Sequence, residues 1–410
     1  MRQAHKLPRL PNTFRAPELR ALIAALGAGG NTPRLVGGCV RDWLLGRTIG
    51  DIDVAIDAPP DAVLRLLRAA KIRAIPTGVD HGTVTAISGD KSFEITSLRQ
   101  DIITDGRHAV VQFGTDWHAD AMRRDFTVNA LYYDFTCGLI DPLCGLDDLR
   151  TRRLRFIGDA RQRIREDYLR SLRLFRFYGQ LDFLPPDQAA IAAVKGELSG
   201  LAGLSAERVR QELQKILAQK NAPQVLSLMK KSGVLGVVLP EAKNLNALAK
   251  FVQLRPAASW LENLALMVMA KKSSANAARA ETVIKNLKLS NAEADFLRQV
   301  LSPAHSVLAA KTRADFRAAW YYATPPIYAA LADMYFALGY WTLARRRAAK
   351  AAVHALRAKE FPLRGQDLLD AGLRPGPGIG QALRHTESWW VEKDCKPNKK
   401  QCLAFALKNY

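Results

Sequence analysis

Residues 35–47 read LVGGCVRDWLLGR, and residues 50–56 read GDIDVAI. Arg34–Val36 reads as a strand that runs into Gly37–Gly38 and then into a helix. After a turn at Thr48–Gly50, Ile52–Ile56 is a β-branched strand. Asp51 and Asp53 stand at i and i+2, so on a strand both carboxylates leave the same face, about 7 Å apart at Cα. Two such carboxylates repel unless cations sit between them. The pattern suits two Mg²⁺ ions about 3.5–4 Å apart, the geometry of metal-assisted phosphoryl transfer. Glycines at a strand-to-helix junction let backbone N–H groups approach a phosphate. Arg41, one turn into the helix, could reach the same phosphate. By itself a DxD is equally two solvated acids on a strand edge, and Gly37–Gly38 alone is equally a tight turn.

Working outward, the first third continues to alternate short strands and helices. Asp61–Ala70 reads as a helix, and Thr83–Ile87 and Phe93–Ser97 as strands joined by a turn at Ser88–Asp90. Val128–Phe135 reads as a strand or a helix-to-strand transition. From about Ala160 onward apolar residues recur at three- and four-residue spacing almost to the end. Ser205 is a predicted N-cap, and Ser290–Glu293 a predicted capping box. The expected class is α+β: a small mixed-sheet head over residues 1–150, a helical neck over 151–220, and a helical body and tail over 221–410.

Composition narrows the partners. Of 410 residues, 60 are Lys or Arg and 39 are Asp or Glu, a formal net charge of +21. That excess points to a polyanion, most simply a nucleic acid. Five scattered cysteines without a CxxC pair exclude a disulfide framework and a zinc ribbon, so a cytoplasmic, reducing compartment is expected. The basic N-terminus has no apolar run of signal-peptide length, and Pro8, Pro11 and Pro17 break any amphipathic leader helix. Ile327–Ala344 has the length of a membrane span, but Asp333 lies within it, so a buried helix is expected and no membrane partner.

Three further stretches bear on function. RRDFTVNAL (123–131) offers Arg124 for phosphate or sugar and Asp125 for a ribose hydroxyl, with Asn129 to orient the loop. DPLCGLDDL (141–149) reads as a structural turn. REDYLRSLRLFRF (165–177) places Asp167, Arg170 and Arg173 three apart on a helix, with Arg176 extending the row. A solvated ion-pair stripe would have the same spacing. The chemistry is more pointed than that. Cytosine and adenine each present an amine donor beside a ring-nitrogen acceptor. Asp167 would accept from the amine and Arg170 donate to the ring nitrogen. Uracil and guanine reverse that order and would leave buried groups unpaired, at a cost of several kcal/mol.

Taken in order, GGCVRDWLLGR with DID, RRDFT-V-NAL, DP-L-C-G-L-D-DL, EDYLR and LSAERVRQELQKIL (204–217) resemble the five motifs of the class II tRNA nucleotidyltransferases and bacterial poly(A) polymerases. The resemblance covers about residues 35–217. It implies a DNA polymerase β-like head followed by an all-α neck, body and tail. It implies two Mg²⁺ ions at Asp51 and Asp53, with a third catalytic carboxylate for which Glu94 is the candidate. Gly37, Gly38, Arg41, Arg124, Asp125, Asp167, Arg170, Arg173 and Arg176 are then the expected nucleotide-binding residues. CTP and ATP are the implied substrates and the tRNA acceptor–T arm the implied partner, held through phosphates and shape.

In that family the region between Arg99 and Arg123 is a flexible loop needed to switch from CTP to ATP, and enzymes that add only CC lack most of it. Here it is present, with Asp105–Arg107 at its tip. A long arginine-rich C-terminal extension, common in the poly(A) polymerases, does not follow Trp389–Trp390. The implied reaction is addition of C, C and A to tRNA 3′ ends with release of pyrophosphate. Its rivals are poly(A) or A-only addition, and a catalytically inactive RNA-binding protein. The basic run Arg345–Arg347, Lys350, Arg357 and Lys359 is expected either on the RNA surface or as a solvated helix face.

Overall fold

The computed structural model describes residues 7–79, 82–104, 109–270, 274–301, 325–355 and 360–410. The chain divides into two compact units, Met1–Leu204 with Lys231–Val237, and Ser205–Lys230 with Val238–Tyr410.

The first unit is built on a seven-stranded mixed sheet. Its strands are β1 (Arg34–Val36), β2 (Asp53–Ile56), β3 (Arg73–Gly78), β4 (Thr83–Ser88), β5 (Lys91–Ser97), β8 (Tyr132–Asp134) and β9 (Gly138–Ile140), in the order β3-β4-β5-β2-β1-β8-β9. Only β2 and β5 run parallel, with Asp53 in register with Glu94. β6 (Arg99–Thr104) and β7 (Ala109–Phe113) form a separate antiparallel pair. The region expected as a loop between Arg99 and Arg123 is therefore mostly this hairpin, followed by a short helix, α5 (Trp117–Met122). Asp105–Arg107 lies outside the described residues. Pro76 argues against a strand at Arg73–Gly78, yet β3 sits at the sheet edge, where a missing N–H costs little, and its register shifts between Ile75 and Gly78.

Val36, Ala55, Leu98, Ala121, Ala130, Tyr132 and Ile157 share one buried cluster. It ties β1, β2 and β8 to α5, so the residues that end α5 are held as firmly as the sheet. Besides α5, the helices of this unit up to its site are α1 (Asn12–Arg15), α2 (Pro17–Gly27), α3 (Gly38–Leu44), α4 (Pro60–Ala69), α6 (Gly145–Arg150), α7 (Ala160–Glu166) and α8 (Leu169–Leu181). α4 starts at Pro60, carries Asp61 in its first turn and Arg68 in its last, and buries Val63 and Leu67. The DP-x-x-G turn is structural in detail. Asp141 accepts hydrogen bonds from the Gly145 and Leu146 amides at 2.8 and 2.9 Å. A Cβ on Gly145 would lie 2.3 Å from the Thr127 carbonyl oxygen.

The second unit is helical in its described part. The Ser290–Glu293 capping box forms, with the Ser290 amide donating to Glu293 at 2.7 Å. Ser205 occupies the N-cap position of the helix Ala206–Leu217 but accepts no capping hydrogen bond there. Among the described residues no helix is long and apolar enough to cross a membrane. The apolar stretch that imitates a span is split between the helices Pro325–Ala337 and Leu343–Ala355 by a turn, with Asp333 fully buried in the first. Arg346 (2.6 Å), Lys350 (3.3 Å) and Arg255 (3.5 Å) surround that carboxylate. Two cations expected on a solvated or RNA-facing surface are thus turned inward, because an acid buried in an apolar helix requires partners. Arg357 and Lys359 lie outside the described residues.

Candidate active site

All the sequence-predicted site residues lie in the first unit. Gly37 closes β1 with φ of 73° and ψ of −123°, its amide donating to the Leu131 carbonyl at 3.1 Å. An L side chain is strained there. A Cβ would also stand 3.7 Å from the Asn129 carbonyl oxygen and 3.8 Å from Arg124 Nη1. Gly38 begins α3 with Arg41 Nη2 at 3.8 Å from where its Cβ would be.

Asp53 is the first residue of β2 and is half-buried, while Asp51 is exposed. Asp51 therefore precedes the strand instead of lying on it, because β1 ends at Val36, the partner of Asp53, and its chain turns away at Gly37. Glu94 is exposed on β5 beside Asp53. Burial and then the Glu94 charge push the Asp53 carboxyl up to about 6; Arg124 opposes this and Asp51 adds to it. Asp53 thus stands beside Glu94 in the sheet, with Arg124 and Asp51 near enough to act on its charge. Among the described residues no trio of His, Cys, Asp or Glu closes on a metal position unaided. The donor set nonetheless suits a divalent cation: carboxylates that raise one another's proton affinity are relieved by positive charge, and Mg²⁺ normally completes its shell with water and substrate phosphates.

Arg124 donates from Nε (3.2 Å) and Nη2 (2.9 Å) to Asp120, a carboxylate with no solvent exposure. Arg41 is only 3% exposed. It donates to Asn129 Oδ1 at 2.6 Å and to Asp42 at 2.9 and 3.0 Å. Asn129 in turn donates to Asp125 at 3.1 Å, and Arg173 donates to the other Asp125 oxygen at 2.7 Å. Arg41, Asn129, Asp125 and Arg173 thus form a continuous chain from α3 to α8. Burial works to raise the Asp125 pKa, and Arg173 with these hydrogen bonds carries it below the usual carboxylate range.

The continuous helical row expected over 167–176 is interrupted. α7 ends at Glu166, and Asp167 is extended, with φ of −155°. Its carboxylate accepts from the Leu169 amide at 3.1 Å and its carbonyl from the Arg170 amide at 3.0 Å. Asp167 thereby separates α7 from α8 one residue ahead of the α8 N-cap, Tyr168, through the local side-chain-to-backbone bond by which Asp competes with helix continuation. Arg170 donates to Glu166 at 2.6 Å and to the Arg163 carbonyl at 2.8 Å. Arg163 also pairs with Glu166. Asp167 and Arg170 remain neighbours at the start of α8, while the acid that grips Arg170 is Glu166. Arg176 lies over the Phe177 ring at 4.2 Å, with Arg41 at 5.3 Å and Arg173 at 5.7 Å from the same ring.

Glu166, Arg163, Phe177, Asp120 and Tyr132 belong to this arrangement but are not among the site residues the motifs single out, although Glu166 opens the EDYLR motif and Phe177 ends the quoted stretch. The available signal was helical spacing: Glu166 stands four before Arg170, and Asp120 three and four before Arg123 and Arg124.

The comparisons agree with this architecture. The poly(A) polymerase head domain matches residues 33–155, and the probable RNA and SrmB-binding site of polymerase A matches residues 169–245. Human mitochondrial CCA tRNA nucleotidyltransferase 1 is 45% identical over 199 residues, 48% of this chain and 46% of the human protein. The CCA-adding enzyme of Geobacillus stearothermophilus is 36% identical over 250 residues, 59% of this chain and 58% of that enzyme. The chain thus spans about half the length of the curated relatives it matches. A crystal structure of the Bacillus stearothermophilus CCA-adding enzyme in complex with CTP superposes with a TM-score of 0.76 at 26% identity, covering 98% of both chains. The chain thus carries a poly(A) polymerase head domain and the polymerase A RNA-binding region, and the curated relatives and the solved structure it resembles are CCA-adding enzymes.

Proposed function

We propose that this protein adds C, C and A to the 3′ end of tRNA, without a nucleic-acid template, from CTP and ATP. The observation that carries the chemistry is the meeting of Asp53 with Glu94 and Asp51 beside Arg124 and the Gly37 turn. The likeness to CCA-adding enzymes supports the choice of CTP, ATP and tRNA. Two Mg²⁺ ions held by Asp51 and Asp53 would supply Lewis-acid chemistry at the attacking hydroxyl and the triphosphate. The chain's own residues do the rest. Arg124, beside the Gly37 turn, offers positive charge to phosphate or sugar. Gly37, lacking a side chain, lets the nucleotide approach the backbone. Asp167 accepts from the amine of cytosine or adenine, and Arg170, steadied by Glu166, donates to the ring nitrogen. The RNA 3′-hydroxyl attacks the α-phosphate of the nucleotide and pyrophosphate leaves.

We assign residues 1–150 to the head that holds the carboxylates, 151–220 to the neck that selects the base, and 221–410 to tRNA binding. Five free cysteines support a reducing compartment such as the cytosol. A second reading, poly(A) or A-only addition with the same chemistry, is favoured by the poly(A) polymerase head match. Purified protein given a tRNA transcript lacking CCA, first with CTP alone and then with CTP and ATP, separates the two. Two C residues followed by one A are expected; failure to incorporate C refutes the proposal.

A further inference from the structure

Asp120 lies within α5, which connects the β6–β7 hairpin to the RRDFT stretch. It has no solvent exposure. Oδ1 receives Arg123 through Nε (2.8 Å) and Nη2 (2.5 Å). Oδ2 receives Arg124 through Nε and Nη2, and the Tyr132 hydroxyl at 2.7 Å. Three side chains thus converge on a single buried carboxylate and occupy both its oxygens. The helix carrying it is fixed in turn, since Asp116 caps α5 through the His118 and Ala119 amides at 2.8 and 3.1 Å. Tyr132 is held by its ring, edge-on to Trp117 at 5.3 Å, and lies under the Arg124 guanidinium at 5.5 Å.

Grip along the Nε/Nη2 edge fixes the plane of the Arg124 guanidinium and directs its remaining nitrogen, Nη1, to the Gly37 turn, 3.8 Å from where a Cβ would be. The same segment offers its backbone to the neck: the Arg123 and Arg124 carbonyls both accept from Arg163 at 2.6 Å. We propose that Asp120, with Tyr132 as its second anchor, is a positioning residue that presents Arg124 Nη1 to the incoming nucleoside triphosphate. This rests on the reading of the site as a nucleotide-transfer site. A guanidinium released from Asp120 keeps its charge but loses its fixed plane, so nucleotide affinity falls while the reacting carboxylates stay in place.

A double-mutant cycle on the full chain tests it, with CTP affinity measured by calorimetry in magnesium buffer and folding followed by thermal unfolding. Asp120→Asn is expected to weaken CTP binding by about 10- to 100-fold, the factor of a lost charge-assisted hydrogen bond. On an Arg124→Ala background it is expected to weaken binding by less than about 2-fold, because its effect runs through Arg124. If Asp120→Asn does not fold, Tyr132→Phe serves: it should weaken binding in the same direction, by less, and lose that effect on the Arg124→Ala background. Equal weakening with and without Arg124 overturns the positioning role and leaves the functional proposal standing. A wild-type protein that binds neither CTP nor ATP overturns both.

Discussion

Asp53→Asn should stabilise the metal-free protein while abolishing nucleotide transfer. Asp53 is half-buried beside Glu94, and burial and that neighbour raise its carboxyl from 3.8 to about 6. Between about pH 4 and pH 6 the folded protein holds a proton that the unfolded chain has lost. The contribution of this group to stability therefore falls as pH rises through that window, and above it the ionised carboxylate is a standing cost. At about 1.4 kcal/mol per pH unit the gap sets a ceiling of about 3 kcal/mol. Solvent screening at a partly exposed group brings the expected gain to about 1–2 kcal/mol. Urea unfolding in EDTA measures it. The variant should be more stable than wild type at pH 8, and at pH 5 the gain should shrink to about half. Titrations of groups not coupled to Asp53 are common to both proteins and cancel. Added Mg²⁺ should then stabilise wild type by mass action and leave the variant unchanged. A variant no more stable than wild type at pH 8, or a gain that stays constant down to pH 5, refutes the reasoning.

Four other substitutions probe separate parts of the molecule. Asp333→Ala leaves Arg346 and Lys350 facing an apolar site without their acid, while Arg255 keeps Glu262; urea unfolding should show a loss of about 1.5–3 kcal/mol, the scale of a lost charged hydrogen bond. Gly145→Ala sets a Cβ 2.3 Å from the Thr127 carbonyl oxygen. Backbone cannot swing aside as a side chain does, so calorimetry should show a destabilisation of about 1–3 kcal/mol or more. Gly200→Ala places a Cβ 1.9 Å from the Tyr168 ring, next in sequence to Asp167; displacing that ring should raise incorporation of UTP relative to CTP in a single-nucleotide assay. Asp167→Ala removes the proposed acceptor for the base amine, and the same assay should show discrimination between CTP and UTP reduced by about 10-fold or more.

Local pattern made β1, β2, β4 and β5 legible, since their apolar and β-branched residues sit between clear turn residues. It missed the hairpin β6–β7, whose strands are recognisable chiefly by pairing with each other. The Asp51/Asp53 spacing was readable from the chain, but the contact that gives it meaning is the parallel register of Asp53 with Glu94. No periodicity announces a pairing across 41 residues. The helix break at Asp167 was hidden for the opposite reason: the residues on either side of it, 160–166 and 169–176, are mostly helix formers, and one carboxylate bonded to the Leu169 amide decides the interruption. Charge was the least informative signal of all. A net +21 suggests arginines waiting for RNA, yet Arg124 is held by Asp120, Arg173 by Asp125, Arg170 by Glu166 and Arg346 by Asp333. Such pairing does not remove a guanidinium from function. It has five N–H donors in one plane, and a carboxylate that takes one edge fixes the direction in which the others are offered. In this site the acids decide what the arginines can reach, so a count of excess positive charge identifies a polyanion as partner but not the residues that would meet it.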